Sequence, residues 1–565
     1  MTESYTKGPL TPALLTQTIG DKFDETVGKW PERDALIVRD QNVRYTWAQL
    51  AEQVDNYGRA FMALGLKKGD RVGMWGPNSS EWCITQFATA KAALIMLNVN
   101  PAYRLHELEY ALKQTGCAWV VCATPFKTSN YEQILLDLVP ELKTSKAGEV
   151  HSKVLPELRG VITLADTAPA PGFMTWKDFG ALSSKVPTAQ LKTRQASCNY
   201  KDAINIQFTS GTTGLPKGAT LSHHNILNNG YMVVGSMGFT EKDKLVIAVP
   251  LYHCFGMVMG NLGCVAHGST MIYPSAGFDP QTSLEAIADE KATGIYGVPT
   301  MFIAELALQG QKHYDMSSLR TGIMAGSICP IEVMRQVIDK MNMTGVQIAY
   351  GMTETSPVTT QTGPDDDMQH RTTTVGVTQP HCETKIVDAN GKTVPRGMVG
   401  EYCARGYPVM LGYWNNPEAT AKAIDKDGWM HSGDLGSMDD NGFVKIVGRS
   451  KDMIIRGGEN IYPIEIEDFL YKHPAIADIQ VFGVPSQKYG EEVGAWIKLK
   501  PGATATAQDV QDFCKDHIAH FKIPKYIKFV DAFPTTVTGK VRKIEMRKAA
   551  AAELGVGAEV GLKAG

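Results

Sequence analysis

The sequence predicts an α/β fold. A large N-terminal domain of layered, mainly parallel sheets carries a β-rich lobe, and a small α+β domain follows it. Three observations carry this reading. The chain has 565 residues, and single cores stop growing beyond roughly 250–300 residues. Short apolar runs of strand length alternate with helix-patterned runs over most of the length, which is the mark of βα units and parallel sheets. Near Glu401–Gly448 the texture shifts to short β-rich pieces punctuated by Gly, Pro, Trp and Asn.

Taken in order, Thr46–Leu64 reads as a helix, Trp119–Ala123 as a strand and Lys244–Val249 as another. Ser269–Tyr273 and Gly294–Val298 are further strands, with helices at Gln281–Lys291 and Pro330–Met341. In the β-rich lobe, Gly406-Tyr-Pro-Val, Gly412-Tyr-Trp-Asn-Asn-Pro417, Asp427-Gly428-Trp429 and Asp440-Asn-Gly442 are turn signals. Val447-Gly-Arg-Ser-Lys-Asp452 is a polar connector, and the domain boundary is expected at Lys451, dividing 1–450 from 451–565. The smaller unit reads as a helix over Pro463–Lys472, strands at Ile476–Val484 and Ala495–Lys500, a helix over Ala507–His520 and a basic tail.

Composition excludes several classes. Hydrophobic residues make up 43% and charged residues 20%, and the formal net charge is −3. That is ordinary globular protein without the basic footprint of a nucleic-acid binder. The ten cysteines show no paired metal-ligand spacing. Cys117 and Cys122 flank an apolar run, so buried free thiols in a reducing compartment are expected. The first residues lack the apolar core of a secretory signal, and no stretch approaches the roughly 20 apolar residues of a membrane span. The cytoplasm is the expected compartment. Oligomeric state is left open, a homodimer included.

The most informative stretch is Phe208-Thr-Ser-Gly-Thr-Thr-Gly-Leu-Pro-Lys-Gly218. Glycines let backbone N–H groups approach an anion, and hydroxyls add donors that rotate to fit. It is not the common P-loop, because Gly211 and four further residues are followed by Pro216, Lys217 and Gly218 rather than Gly-Lys-Ser/Thr. Apolar flanks at Ala203–Phe208 and Ala219–Leu221 argue against a surface linker.

With this loop, six further segments stand in a fixed order: Pro250-Leu-Tyr-His-Cys254, Gly326-Ser-Ile-Cys-Pro330, Tyr350-Gly-Met-Thr-Glu354, Ser432-Gly-Asp434, Gly448-Arg449 and Pro534-Thr-Thr-Val-Thr-Gly-Lys540. Together they resemble the acyl-adenylate-forming superfamily of acyl-CoA synthetases, luciferases and adenylation domains. The resemblance covers nearly the whole chain. Arg456-Gly-Gly-Glu-Asn-Ile-Tyr-Pro463 and Tyr350–Pro357 are most similar to its medium-chain fatty acyl-CoA synthetase branch.

The resemblance implies ATP, Mg2+ and coenzyme A as small-molecule partners and a fatty or related carboxylic acid as substrate. It also implies a role for each matched residue. Thr209, Ser210, Gly211, Thr212, Thr213 and Gly214 would hold phosphates, with Lys217 as a point charge. Glu354 would be the magnesium ligand, since one carboxylate among phosphate oxygens suits that hard ion; Thr353 would bond the α-phosphate. Gly326, Ser327, Tyr350 and Gly351 would face adenine. Asp434 would take the ribose hydroxyls with Arg449 in support, though an Asp–Arg pair tying two strands is the competing reading. Lys540 would bridge carboxylate and α-phosphate as charge shifts. Lys451 matches the hinge of a mobile small domain, whose second face would carry Gly457 and Gly458 beside the pantetheine channel. His253 would lie beside the reacting carboxylate.

Tyr252–Gly260 and Val298–Phe302 read as an apolar acyl pocket. Neither segment offers a charged side chain, which disfavours dicarboxylates and amino acids. Met257, Met259 and Met301 are adaptable fillers. An enzyme loading a carrier protein, or one acting on a short-chain or aryl acid, stays open beside the acyl-CoA synthetase, and a catalytically inactive relative is disfavoured.

Overall fold

The computed structural model describes residues 2–209, 216–327, 329–457, 459–535 and 541–556. Ser210, Gly211, Thr212, Thr213, Gly214, Gly458 and Lys540 lie outside these.

The alternation of apolar runs becomes two large sheets. One has eight strands, in which Ala203–Thr209, Ile95–Val99, Arg71–Trp75, Trp119–Cys122, Gly160–Thr163 and Phe173–Thr175 run parallel. Lys217–Ser222 closes back antiparallel on Ala203–Thr209, and Gly412–Tyr413 lies beyond it. The other has nine strands, with a parallel centre built from Gly345–Gly351, Thr321–Ala325, Gly294–Gly297, Lys244–Ile247, Thr270–Tyr273 and Asp34–Val38.

Both sheets bury one face in a shared core. Val72, Met74 and Ile204 of the first sheet, Leu36, Leu245 and Ile247 of the second, and Trp47, Phe61, Trp82 and Phe87 of the intervening helices belong to one cluster. Helix Ser80–Lys91 is buried on every side, as a helix sandwiched between layers must be. A second cluster covers the far face of the nine-stranded sheet under helices Pro280–Glu290, Pro299–Gln311 and Ile331–Met341.

Helix starts were legible. Thr46 caps Trp47–Ala63 through a reciprocal pair with Gln49, and Asp279 caps Pro280–Glu290 with proline in its first turn.

The β-rich lobe is an antiparallel sheet: Tyr5–Lys7, Cys382–Val387, Gly400–Gly406, Met430–Met438 and Val444–Arg449. The C-terminal domain is separate, with its own sheet and its own core around Ile454, Ile479, Val481, Val493 and Ile497. Three expectations there need correction. Helix Ala507–Cys514 stops short of His520, because Asp516 turns left-handed at φ +63°. Strand Gly490–Leu499 begins before Ala495, straight out of the tight turn at Gly490. The basic tail contains a helix, Lys543–Glu553, which packs Met546 and Ala550 against Phe482 and Val484. Among the described residues no helix is long and apolar enough to cross a membrane, and all ten cysteines are unpaired.

The small domain meets the lobe where helix Pro463–Leu470 packs on strand Val444–Arg449. Burial raises the Asp468 carboxyl there to about 6, and Lys445 only partly offsets it. Raised above its unfolded value, this acid costs the fold nothing below about pH 4. The penalty grows as pH climbs through 6. Asp468→Asn is therefore expected to leave the melting temperature unchanged at pH 4 and to stabilise by about 2 kcal/mol at pH 8. Thermal unfolding followed against pH checks this, and equal gains at both ends would reject the burial argument.

Candidate active site

Parallel sheets gather functional groups at the carboxyl ends of their strands, and both large sheets do so at one place. Thr209 ends its strand and pairs across the hairpin with Lys217. Glu354 follows the end of strand Gly345–Gly351 in the other sheet, in the single turn Thr353–Thr355. The two ends meet. Glu354 is only 9% exposed, and its Oε1 accepts from Thr209 Oγ1 at 3.1 Å and from the Tyr413 hydroxyl at 2.8 Å. The Lys217 ammonium lies 5.1 Å above the Tyr413 ring. Burial, reinforced by Glu354, raises the Tyr413 phenol, so it remains a donor. Sequence reasoning read Tyr413 only as part of a turn. The glycine beside it, at φ +141°, marks backbone that serves a purpose, but nothing local says which carboxylate it meets.

Thr353 is buried beside Glu354. Gly351 is obligatory: a Cβ there would sit 1.7 Å from the Pro357 carbonyl oxygen. Gly326 adopts φ +87° at the end of the neighbouring strand, with Ser327 exposed next to it.

A second cluster lies four residues upstream of Glu354. The Tyr350 hydroxyl donates to Asp434 Oδ2 at 2.6 Å, and Arg449 Nε is 3.2 Å from Asp434 Oδ1. Asp434 and Arg449 are direct partners on adjacent antiparallel strands, which explains their fifteen-residue separation. The cross-strand ion pair is thus formed, and it presents a carboxylate and a guanidinium side by side. Burial, and then Asp434, push the Tyr350 phenol well up. The turn before Asp434 is held from behind: Glu401 accepts from the Gly433 N–H at 3.0 Å and lies 2.9 Å from His431 Nδ1.

His253 is half-buried at the entry to an eight-residue π-type helix, Phe255–Leu262. Its carbonyl accepts from the Gly256 and Met257 N–H groups. Beneath it runs a buried amide chain that sequence reasoning did not foresee. Asn98 donates to the Tyr252 carbonyl at 3.0 Å, Asn205 to Asn98 at 2.8 Å and Gln207 to Asn205 at 2.8 Å. The Cys254 thiol closes the chain on Gln207 at 3.2 Å. Such a satisfied buried network fixes geometry, here that of the backbone either side of His253. Asn205 and Gln207 alternate on one strand, and that polar period inside an otherwise apolar strand was the available signal.

In the small domain, Gly457 has φ +60° and donates to the Tyr489 carbonyl at 2.8 Å. The Arg456 guanidinium stacks 4.1 Å above the Tyr489 ring and pairs with buried Glu492 at 2.6 Å. Phe521 packs against the small-domain core. Lys451 lies between the last strand of the lobe and the first of the small sheet, its ammonium lowered by burial and then by Arg449. Its carbonyl accepts from Arg547, which also pairs with Glu491.

Comparison with known proteins covers nearly the whole length. The AMP-binding enzyme model matches residues 23–414, and the AMP-binding enzyme C-terminal domain model matches residues 465–540. A rat protein named medium-chain acyl-CoA ligase ACSF2, mitochondrial, is 45% identical over 551 residues, spanning 96% of this chain and 89% of its own. The Bacillus subtilis putative acyl-CoA synthetase YngI is 46% identical over 536 residues, 95% and 97% of the two chains. Among solved structures, ATP-bound MatB from Rhodopseudomonas palustris superposes with a TM-score of 0.81 at 29% identity, covering 94% of this chain and 98% of its own. The anthranilate CoA ligase AuaEII, bound to anthranoyl-AMP, gives 0.84 at 26% identity, covering 96% and 98%. Two domain models in order, relatives above 40% identity along nearly the full chain and a shared two-domain fold leave one assignment: the chain belongs to the AMP-binding enzyme family, as an adenylate-forming acid–thiol ligase of the acyl-CoA synthetase type.

Proposed function

We propose that the chain activates a medium-chain fatty acid with ATP and passes the acyl group to coenzyme A. One observation carries the reading: Glu354, Thr209, Tyr413 and Lys217 converge where the two large sheets end, with Tyr350, Asp434 and Arg449 alongside. A free carboxylate is a poor electrophile. In the first step its oxygen attacks the α-phosphorus of ATP, the bond to the β-phosphate oxygen breaks, and pyrophosphate leaves with that electron pair. In the second, the thiolate sulfur of coenzyme A adds to the acyl carbon and AMP departs. Bringing two anions together is mostly placement and cationic stabilisation.

The positions support a role for each residue. Thr209 and Lys217 bracket the phosphates, with Ser210, Gly211, Thr212, Thr213 and Gly214 between them in sequence. Thr353 bonds the α-phosphate. Asp434 accepts from the ribose hydroxyls, and Arg449 and Tyr350 hold that carboxylate in place. Gly326, Ser327 and Gly351 leave the adenine side open. Glu354 fits Mg2+: its Oε1 takes both hydroxyl donors, which leaves Oε2 for a hard cation. That ion would neutralise the triphosphate. His253 orients the reacting acyl group. We place the domain boundary at Lys451, between 1–450 and 451–565, and infer that the small domain turns there. One orientation presents Lys540 for adenylation and the other presents Gly457 and Gly458 to pantetheine. The C-terminal domain model ends at residue 540, in support of Lys540. The unpaired cysteines suit a reducing compartment, which we take to be the cytoplasm; the rat ligase is named mitochondrial.

The test is an acid panel from acetate to palmitate with aryl acids added, read by pyrophosphate release with and without coenzyme A. Acid-dependent release that peaks at medium chain length and yields acyl-CoA is expected. Transfer only to a carrier protein would overturn the acceptor. Lys540→Ala is expected to slow adenylation by at least about a hundred-fold while sparing thioester formation from supplied acyl-AMP; equal loss in both half-reactions removes Lys540 from its role. Tyr413→Phe strips Glu354 of one donor and is expected to raise the KM for ATP about ten-fold without moving the KM for the acid. Steady-state kinetics separate the two constants.

A further inference from the structure

Glu305 lies on helix Pro299–Gln311, is 1% exposed, and its enclosed Oε2 has no hydrogen-bond partner among the described residues. Among the described residues no ion pair involves it. An unpaired buried polar group costs stability, so its retention in an apolar layer points to a ligand that satisfies it. The apolar reading of the acyl pocket stopped at Phe302 and missed it.

Its position names the ligand's place. Val298, Met301, Phe302 and Glu305 follow the three–four spacing of one helix face. Met301 and Val298 pack into the cluster that holds Phe255, Met257 and Met259 of the π-type helix, the other wall expected of the acyl pocket. The face starts at the nucleotide end, since a Cβ on Gly326 would lie 3.1 Å from Val298. Seven residues of helix carry Glu305 about 10 Å from there, the reach of an extended acyl chain of medium length.

We propose that the Glu305 carboxyl is a specificity group at the far end of the acyl pocket and recognises a hydroxyl on the distal end of the acid substrate. This rests on the acyl-CoA synthetase reading and narrows its substrate class. Burial alone raises this carboxyl well above the carboxylate range, with no neighbouring charge to lower it. A carboxylic acid donates one hydrogen bond and accepts another, and a hydroxyl complements both. A second carboxylate would enter the apolar layer uncompensated. An ammonium would have to ionise Glu305 there.

The experiment compares octanoate and decanoate with their ω-hydroxy and ω-amino counterparts, in full-length wild type, Glu305→Gln and Glu305→Leu. ATP–pyrophosphate exchange and acyl-CoA formation are both followed. In wild type the ω-hydroxy acid is expected to exceed the plain acid of the same length in kcat/KM for at least one length. Glu305→Leu is expected to lower that ratio at least about ten-fold. Glu305→Gln, which still donates and accepts, retains the preference. Lack of any ω-hydroxy preference in wild type overturns the proposal, and so does a preference for the ω-amino acid. A ratio unchanged in Glu305→Leu overturns it too. Should that variant not fold, the wild-type ratios and Glu305→Gln decide: loss of the preference in Gln rejects the hydrogen-bonding role. Exchange with plain acids but no hydroxyl preference sinks only this inference. No exchange with any acid sinks the synthetase reading beneath it.

Discussion

The structure turns on one buried carboxylate. Glu354 belongs to the nine-stranded sheet, and both hydroxyls that reach it belong to the eight-stranded sheet or its edge. Two separately twisted sheets have no intrinsic reason to end in register. A charge-assisted hydrogen bond across the gap, in a site largely closed to water, supplies one. The residues proposed to hold the nucleotide are arranged around that join. Tyr350 and Gly351 precede it on the same strand end, the Thr209–Lys217 hairpin faces it, and Tyr413 stands over both. Its anionic character also suits the chemistry, because a carboxylate held between hydroxyls is ready for a cation.

Around this centre the sequence was readable to the extent that its signals were local. Strand and helix segments such as Trp119–Cys122 and Trp47–Ala63 follow from periodicity and capping, which involve residues within a turn of one another. The ordered motifs single out Glu354, Asp434 and Arg449, and the pair tying two strands, which was the competing reading for Asp434 and Arg449, is formed as a direct cross-strand contact. The small domain's core and its helix from Pro463 were similarly visible.

What escaped is what distant segments do to one another. Tyr413 looks like punctuation until the chain brings Glu354, fifty-nine residues away, under its hydroxyl. Asn98 and Asn205 form one amide chain across 107 residues of sequence. Glu305 passes unnoticed, since nothing local announces that its face is covered. The final helix, Lys543–Glu553, passes for a basic tail although its Ala, Lys, Arg, Met and Glu are strong helix formers; what the sequence hides is its packing on Phe482 and Val484.

The π-type winding of Phe255–Leu262 has a consequence for how such a protein diversifies. A π turn accommodates an extra residue relative to an α turn. Deleting one residue would let the segment rewind as an α-helix and swing every following side chain by about 100°. The wall proposed for the acyl pocket would be redrawn in a single genetic event, where point substitutions would have to alter it one methionine at a time.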